Sequence, residues 1–169
     1  MIPKRVKQFY INITDKMNEK DYNFVKSILT NKELELFMKL SKSEQKHCVR
    51  IAKDIESVID NKEIKDYDIL TNKNLLIKSA LLHDIGKNRK RLNVIDKSVI
   101  VILNKLTNGK LKNLKKSEKI QCYYNHSIYG YEILKDMIDN EIILDIVKNH
   151  HSSNTNNIVS FFKEIDDRN

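Results

Sequence analysis

Turn-forming and cross-linking residues are scarce in this chain. Its 169 residues include one proline (Pro3), three glycines, two cysteines and no tryptophan. A many-turned β fold needs more glycine and proline, whereas the abundant Lys, Glu, Leu and Ile side chains favour helices. Cys48 and Cys122 lack the Cys-x-x-Cys spacing of a zinc ribbon or a redox pair. The sequence therefore predicts an all-α fold with two free thiols.

Long apolar runs are also lacking. The longest, Val99 to Leu103, has five residues, whereas a membrane-spanning helix needs about 18 or more. The stretch from Met1 to Arg5 has no apolar segment of the kind found in a secretory signal. We therefore expect a cytoplasmic protein with no membrane partner, and free thiols agree with a reducing compartment.

Positive charge is in excess, with a net charge of +8 at pH 7. Arginine, the better reader of bases and phosphates, occurs only five times. The densest basic stretch, Lys105 to Lys119, contains no aromatic residue on which a base would stack. A nucleic-acid partner is therefore not expected. The basic stretch is interpreted as a solvated loop, or alternatively as a patch that attracts an anionic substrate.

Apolar residues recur at steps of three and four along most of the chain, which is typical of amphipathic helices. Pro3 is placed to open a first helix that reaches Ile13. A second helix ends near Thr30, where the capping box Thr30-Asn31-Lys32-Glu33 opens a short third one. A similar box at Ser41 opens a long helix that continues to about Asp60.

The second half of the chain is predicted to begin with a polar loop at residues 61–71. A helix then runs to His83, and Gly86 is placed to end it. The remaining predicted features are a helix from Val94 to Leu106, a turn at Asn108-Gly109, a helix that Asn125 caps, a helix up to His150, a loop from Ser152 to Asn157 and a last helix to Asp166.

Histidine and aspartate side chains recur along the apolar faces or at the ends of these helices. His47, for example, shares a helix face with Ile51 and Ile55. A single histidine in such a position is more often a hydrogen-bonded core residue than a ligand, so the inference depends on several converging. Imidazole and carboxylate together suit a hydrolytic metal site. The candidate ligands are His47, His83, Asp84, His126, His150, His151 and Asp166.

The order of these residues resembles a known family. His47, then His83-Asp84, then Asp166 is similar to the H…HD…D signature of the HD-domain superfamily of metal-dependent phosphohydrolases. The string His83-Asp84-Ile85-Gly86-Lys87 is similar to its HDIG variant, including the trailing lysine. The segments around His126 and around the doublet His150-His151 resemble those that supply further ligands in two-metal members. The resemblance covers about residues 41–166.

The resemblance implies a single HD-like helical domain over residues 1–169. Residues 41–169 would form the metal-site core, and residues 1–40 would form accessory helices like those of small bacterial members. One or two divalent ions are implied: Fe, Mn, Co, Ni or Zn, with Mg as a further option. The first ion would be held by His47, His83, Asp84 and Asp166, and the second by His126, His150 and His151, with Asp84 bridging.

Two alternatives stay open about the ligands of this site. Asp167, adjacent in sequence, is an alternative to Asp166 as the last ligand. A single ion is also compatible with the pattern, with His126, His150 and His151 then lining the substrate pocket. Asp84 and Lys87 are the expected catalytic residues, since the Lys87 ammonium would stabilise negative charge on a phosphate oxygen.

The implied activity is hydrolysis of a nucleotide or related phosphate ester, in which a metal-activated hydroxide attacks phosphorus. The family's HD-GYP branch, which cleaves cyclic di-GMP, has a Gly-Tyr-Pro loop after its His doublet. Here residues Ser152 to Asn157 follow instead, which argues against that substrate. The alternatives are a non-catalytic, nucleotide-sensing metal-binding domain and a di-iron HD-type oxygenase. The small phosphorylated substrate is the only partner expected, and oligomerisation is left open.

Overall fold

A computed structural model of the protein describes residues 15–61 and 64–169. Within those ranges every regular element is a helix, which confirms the predicted all-α class for that part of the chain. The α-helices are α1 (Glu19–Ile28), α2 (Asn31–Met38), α3 (Lys42–Asp60), α4 (Tyr67–Thr71), α5 (Lys73–Leu82), α6 (Val94–Leu106), α7 (Glu118–Leu134), α8 (Glu141–Asn149) and α9 (Asn157–Arg168). Two 3₁₀ helices, η1 (Ile85–Arg89) and η2 (Lys110–Asn113), complete the set. The helix predicted from Pro3 to Ile13 lies outside the described residues.

Capping boxes start the first three helices. The predicted boxes at Thr30 and Ser41 are both present, each with the side-chain oxygen accepting from the backbone N–H three residues later. In each box a glutamate carboxylate accepts from the cap's own N–H, at 2.8 Å for Glu33 and 3.1 Å for Glu44. Asn18 forms a third box at the start of α1. These reciprocal bonds satisfy N–H groups that have no partner inside the helix.

The predicted loop at residues 61–71 is wrong in its second half. Residues 67–71 form the short helix α4, because the Asp66 carboxylate accepts from the backbone N–H groups of Asp68 and Ile69 at 3.0 and 3.1 Å. The Ile69 side chain is buried in the core. A side-chain cap and one apolar anchor are therefore enough to fold a stretch whose composition is mostly polar.

Asn125 does not cap a helix as predicted. Helix α7 begins at Glu118, two turns earlier, and the Ser117 hydroxyl accepts from the Ile120 N–H at its start. Ile120 and Cys122 are buried on its inner face, so packing continues the helix through this region. The Asn125 amide instead donates to Gln121 within the helix.

Gly86 has a different role from the one predicted. Helix α5 ends at Leu82, and Gly86 lies inside η1 without a positive φ. A Cβ atom at this position would lie 1.8 Å from the His126 carbonyl oxygen and 2.5 Å from the Gly130 nitrogen. Glycine is required here because η1 crosses α7 backbone to backbone. The predicted turn at Asn108-Gly109 is present, and both residues are left-handed, with φ of 48° and 81°.

One large apolar cluster joins the helices around the histidines. Helix α3 packs along α5, η1 packs along α7, and α8 contacts both α5 and α7. Val25 of α1 and Phe37 of α2 are fully buried in the same cluster as Ile51 of α3 and Phe162 of α9. None of the helices within the described ranges is long and apolar enough to cross a bilayer. The packing brings the second turn of α3, the middle of α7 and the C-terminal ends of α5, α8 and α9 together at one location.

Candidate metal centre

Side chains from α3, α5, α7, α8 and α9, or from the residues directly after these helices, converge at the point where the five helices meet. The His47 and His83 ring centroids are 5.6 Å apart, those of His83 and His150 5.0 Å, and those of His126 and His150 5.5 Å. The structure thus brings together all seven candidate ligands: His47, His83, Asp84, His126, His150, His151 and Asp166. The convergence on which the sequence interpretation depends is therefore present, with the cluster mostly buried.

Three of the histidines are oriented by the same backbone contact. His83 Nδ1 lies 2.9 Å from the Ala80 carbonyl oxygen. The same contact, to the carbonyl three residues earlier, holds His126 at 3.0 Å and His150 at 2.9 Å. Because a carbonyl oxygen only accepts, each Nδ1 carries the proton and each neutral ring has its lone pair on Nε2. Metal-binding histidines are commonly fixed in this way.

The Nε2 atom of His150 has no hydrogen-bond partner among the described residues, although it is fully buried. Leaving such an atom unpaired costs free energy, because its contact with water is lost without compensation. His150 Nε2 belongs to two groups whose ligand atoms lie within 4.8 Å of one another, one with His126 and His151 and one with His83 and Asp166. A divalent cation at this point would use the lone pair, so the residues present fit a metal ion.

Asp84 lies between the two sets of imidazoles. Its Oδ1 is 3.4 Å from His126 Nε2, and its Oδ2 is 3.6 Å from His83 Nε2. One carboxylate thus faces both histidine groups, as a bridging ligand would. Burial alone raises the pKa of Asp84, but nearby positive charge, above all the Lys87 ammonium, outweighs burial and holds the pKa well below its ordinary value. The carboxylate is therefore ionised and able to bind a cation.

Asp166, and not Asp167, faces the cluster. The Asp166 Oδ1 atom lies 3.1 Å from His47 Nε2 and 3.9 Å from His83 Nε2. Asp167 is largely exposed and pairs with Lys163 at 2.8 Å. Adjacent residues on a helix point about 100° apart, so α9 can place only one of the two carboxylates in the site.

His126 and His150 are held in the neutral state that metal ligation requires. Burial lowers the pKa of His126 to about 3, and the nearby Lys87 ammonium contributes to the shift. Burial also lowers the pKa of His150 well below its ordinary value. At pH 7 these rings therefore present lone pairs, and no proton has to be displaced when a metal binds.

Lys87 contacts the site directly. Its Nζ donates to Asp84 Oδ2 at 2.5 Å. Burial alone lowers the pKa of Lys87, but the Asp84 and Glu44 carboxylates outweigh it and raise the pKa above its ordinary value. The Lys87 side chain is therefore a fixed positive charge beside Asp84. In this position its ammonium could stabilise negative charge on a phosphate oxygen, as the sequence interpretation expects.

Glu44 is a residue of this region that the sequence interpretation does not include among the site residues. It is buried and pairs with Lys97 of α6 at 2.8 Å. The charges of Lys87 and Lys97 lower the pKa of Glu44 although burial opposes them. The sequence feature that could have identified Glu44 is its position one turn before His47, which places both side chains on neighbouring parts of one helix face.

Cys48 is a packing residue, because adjacent residues on a helix point about 100° apart and Cys48 cannot share a ligand direction with His47. It is fully buried, and its Sγ lies 3.9 Å from His83 Nδ1. That nitrogen is the one bonded to the Ala80 carbonyl, on the opposite side of the ring from Nε2. Burial raises the pKa of the Cys48 thiol well above its ordinary value. The thiol therefore lies behind the histidine and outside the candidate ligand set.

Comparison with known families gives one match. A family model of the HD domain matches residues 41–166. The matched range begins at the cap of α3 and ends at Asp166, so it includes all seven converging residues. Comparisons with curated proteins and with solved structures give no significant match.

Proposed function

The chain belongs to the HD domain family, a superfamily of metal-dependent phosphohydrolases, and we propose that it hydrolyses a nucleotide or a related phosphate ester. The observation that carries the proposal is the position of Asp84. Its two oxygens face two groups of imidazoles, and a mostly buried ammonium lies beside it. That arrangement combines a cation-binding carboxylate with a positive charge suited to a phosphoryl group.

We assign the ligands in two groups that share Asp84. His47, His83, Asp84 and Asp166 would hold one ion. His126, His150 and His151 would hold the other, with Asp84 as the common ligand. Bound divalent ions supply Lewis acidity and lower the pKa of a coordinated water toward ~7. The many imidazoles suit Mn, Fe, Co, Ni or Zn better than Mg, which prefers oxygen ligands.

The chain's own residues determine how a substrate would be oriented. The Lys87 ammonium is fixed by Asp84 on one side, and its remaining protons can be donated to a phosphoryl oxygen. The backbone carbonyls of Ala80, Tyr123 and Val147 hold three imidazoles in place. Because these partners are already positioned, little reorganisation is needed when a substrate binds.

Adjacent aspartates on α9 offer a matched test. Asp166→Asn and Asp167→Asn remove the same charge at neighbouring positions, one inside the cluster and one outside it. Protein purified without added metal is analysed for its metal content. It is then assayed with Mn, Mg, Fe, Co or Ni on phosphomonoesters, cyclic dinucleotides and dinucleoside polyphosphates.

We expect Asp166→Asn to lose metal and at least about 100-fold in kcat, and Asp167→Asn to keep both. Tight nucleotide binding by metal-loaded wild-type protein, without any product, would instead support the sensor alternative. Metal-loaded wild-type protein that neither turns over nor binds any of these compounds would rule out the proposed activity. Equal metal content in the two variants would contradict the ligand assignment.

A further inference from the structure

Helix α6 turns apolar side chains toward solvent. Ile95, Val99, Ile102 and Leu106 expose 74, 46, 58 and 73% of their surfaces. Their spacing of four, three and four residues places them in a single stripe along the helix. Isolated exposed apolar residues are ordinary, but a continuous stripe of this kind marks an interaction surface.

The opposite face of α6 anchors the helix to the protein. Ile100 is buried in a small apolar cluster with Leu111 and Ile120. Lys97 pairs with Glu44, and Asp96 pairs with Lys119 at 2.7 Å. Contacts on the inner face therefore fix the rotation of α6, and the apolar stripe faces outward as a consequence.

A lysine-rich segment follows this stripe, and its η2 helix contacts α6. This segment also contains Leu114, which directly follows η2 and is about half exposed. Within the described ranges, no ion pair is seen for five exposed lysines of this region, namely Lys105, Lys110, Lys112, Lys115 and Lys116. An apolar stripe that continues into a segment of uncompensated positive charge is the pattern of a helix that lies on an anionic membrane surface.

We propose that the outer face of α6 and the neighbouring lysine segment form a membrane-surface contact, the α6 surface, which binds anionic lipid headgroups and inserts its apolar stripe between them. Such a contact needs no spanning helix, so it is compatible with the absence of one in the described ranges. The proposal is independent of the activity proposed for the metal centre.

Charge and size favour a lipid surface over a second copy of the chain. Two α6 surfaces packed together would bring their lysine segments close, and like charges in contact are unfavourable. A 13-residue helix is about 20 Å long, and a pair of this length buries less area than the ~800 Å² per partner of a typical stable interface. An anionic leaflet neutralises the lysines and receives the four apolar side chains.

Sedimentation of the full chain with lipid vesicles tests the proposal. We use vesicles of phosphatidylcholine alone and vesicles with about one-third phosphatidylserine. We expect binding to the anionic vesicles only, with release at high salt. Each lysine near such a surface contributes about fivefold in partitioning. The charge reversals Lys112→Glu and Lys115→Glu together should therefore weaken binding at least about 25-fold.

A second variant tests the apolar stripe. Ile95→Ser with Ile102→Ser removes two exposed side chains, and Met137→Ser changes an exposed apolar residue elsewhere as the matched control. We expect the stripe variant to lose vesicle binding while keeping wild-type helicity and thermal stability, and the control to bind normally.

Three outcomes would overturn the proposal. Equal binding to neutral vesicles would remove the role of the lysines. Absence of binding to either vesicle type would exclude a membrane contact. A wild-type dimer that becomes a monomer on Ile95→Ser with Ile102→Ser, seen by light scattering without vesicles, would assign the α6 surface to a second copy of the chain.

Discussion

The Nε2 atoms of His126 and His151 lie 2.9 Å apart and face each other. His126 Nδ1 is bonded to the Tyr123 carbonyl, so its Nε2 carries a lone pair when the ring is neutral. His151 is therefore placed either to donate a proton to that lone pair or to share a cation with it. Because His126 and His151 come from different helices, a shared cation would tie α7 to the end of α8.

Removing one histidine from each group should change the metal content selectively. We expect His126→Ala to reduce the stoichiometry from two ions to one, because the group with His47, His83 and Asp84 stays intact. His47→Ala should spare the ion held by His126, His150 and His151. Elemental analysis of each variant measures this, with Asp167→Asn as the control. If wild type and His126→Ala both hold a single ion, the three histidines line the pocket and bind no second ion.

Lys87→Met should separate phosphate chemistry from the alternatives. The change keeps most of the side-chain length and removes the charge that lies beside Asp84. If the ammonium stabilises charge on a phosphoryl oxygen, we expect kcat to fall about 10²- to 10³-fold with the metal content retained. Steady-state kinetics on the best phosphate ester measure the effect. A variant with unchanged kcat would exclude this role for Lys87 and leave the oxygenase alternative in place.

Two glycines should respond very differently to alanine. At Gly86 a Cβ would meet two backbone atoms of α7, within 1.8 and 2.5 Å, and backbone cannot move as a flexible side chain does. We expect Gly86→Ala to lower the free energy of unfolding by about 3 kcal/mol or more. Gly109 has open space but a φ of 81°, so Gly109→Ala should cost only about 1 kcal/mol. Urea denaturation compares them, and equal losses would contradict the close crossing of η1 and α7.

Local signals in the sequence were sufficient where one interaction decides the structure. The capping boxes at Thr30 and Ser41 depend on residues three apart, so they could be predicted. Asn125 was wrongly predicted as a cap because buried contacts of Ile120 and Cys122, distant in sequence from their partners, extend α7 past it. A cap-like residue inside a helix cannot be recognised without knowing those contacts.

The candidate site was predictable to a similar extent. The histidines could be identified because the family pattern fixes their order. Which of Asp166 and Asp167 faces the cluster depends on how α9 is oriented about its own axis, and the sequence does not show that orientation. The contact of Lys87 with Asp84 and its proximity to Glu44 depend on how η1 packs against α3 and α7. Such through-space relationships follow from packing, and no local pattern encodes them.

Asp21 provides a pH-dependent contribution to stability. Its buried carboxylate accepts from Lys46 at 2.6 Å and from Lys53 at 2.5 Å, which ties α1 to α3. Burial alone raises the pKa of Asp21, but the two ammonium groups outweigh it and lower the pKa from 3.8 to about 2. Because the folded-state pKa lies below the unfolded one, the stabilisation is fully present above about pH 4. It is lost as the pH falls from about 4 through 2.

We expect Asp21→Asn to lower the free energy of unfolding at pH 7 by about 2 kcal/mol, since each unit of pKa shift corresponds to ~1.4 kcal/mol. The difference from wild type should shrink as the pH falls from about 4 to 2, because the wild-type carboxylate then becomes neutral as well. Asp136→Asn, at an exposed position, is the control and should cost at most about 0.5 kcal/mol at any pH. Urea denaturation between pH 2 and 7 measures all three proteins. A deficit that stays constant over this range would show that the amide introduced by Asp21→Asn disturbs packing, and that the ion pairs with Lys46 and Lys53 contribute nothing.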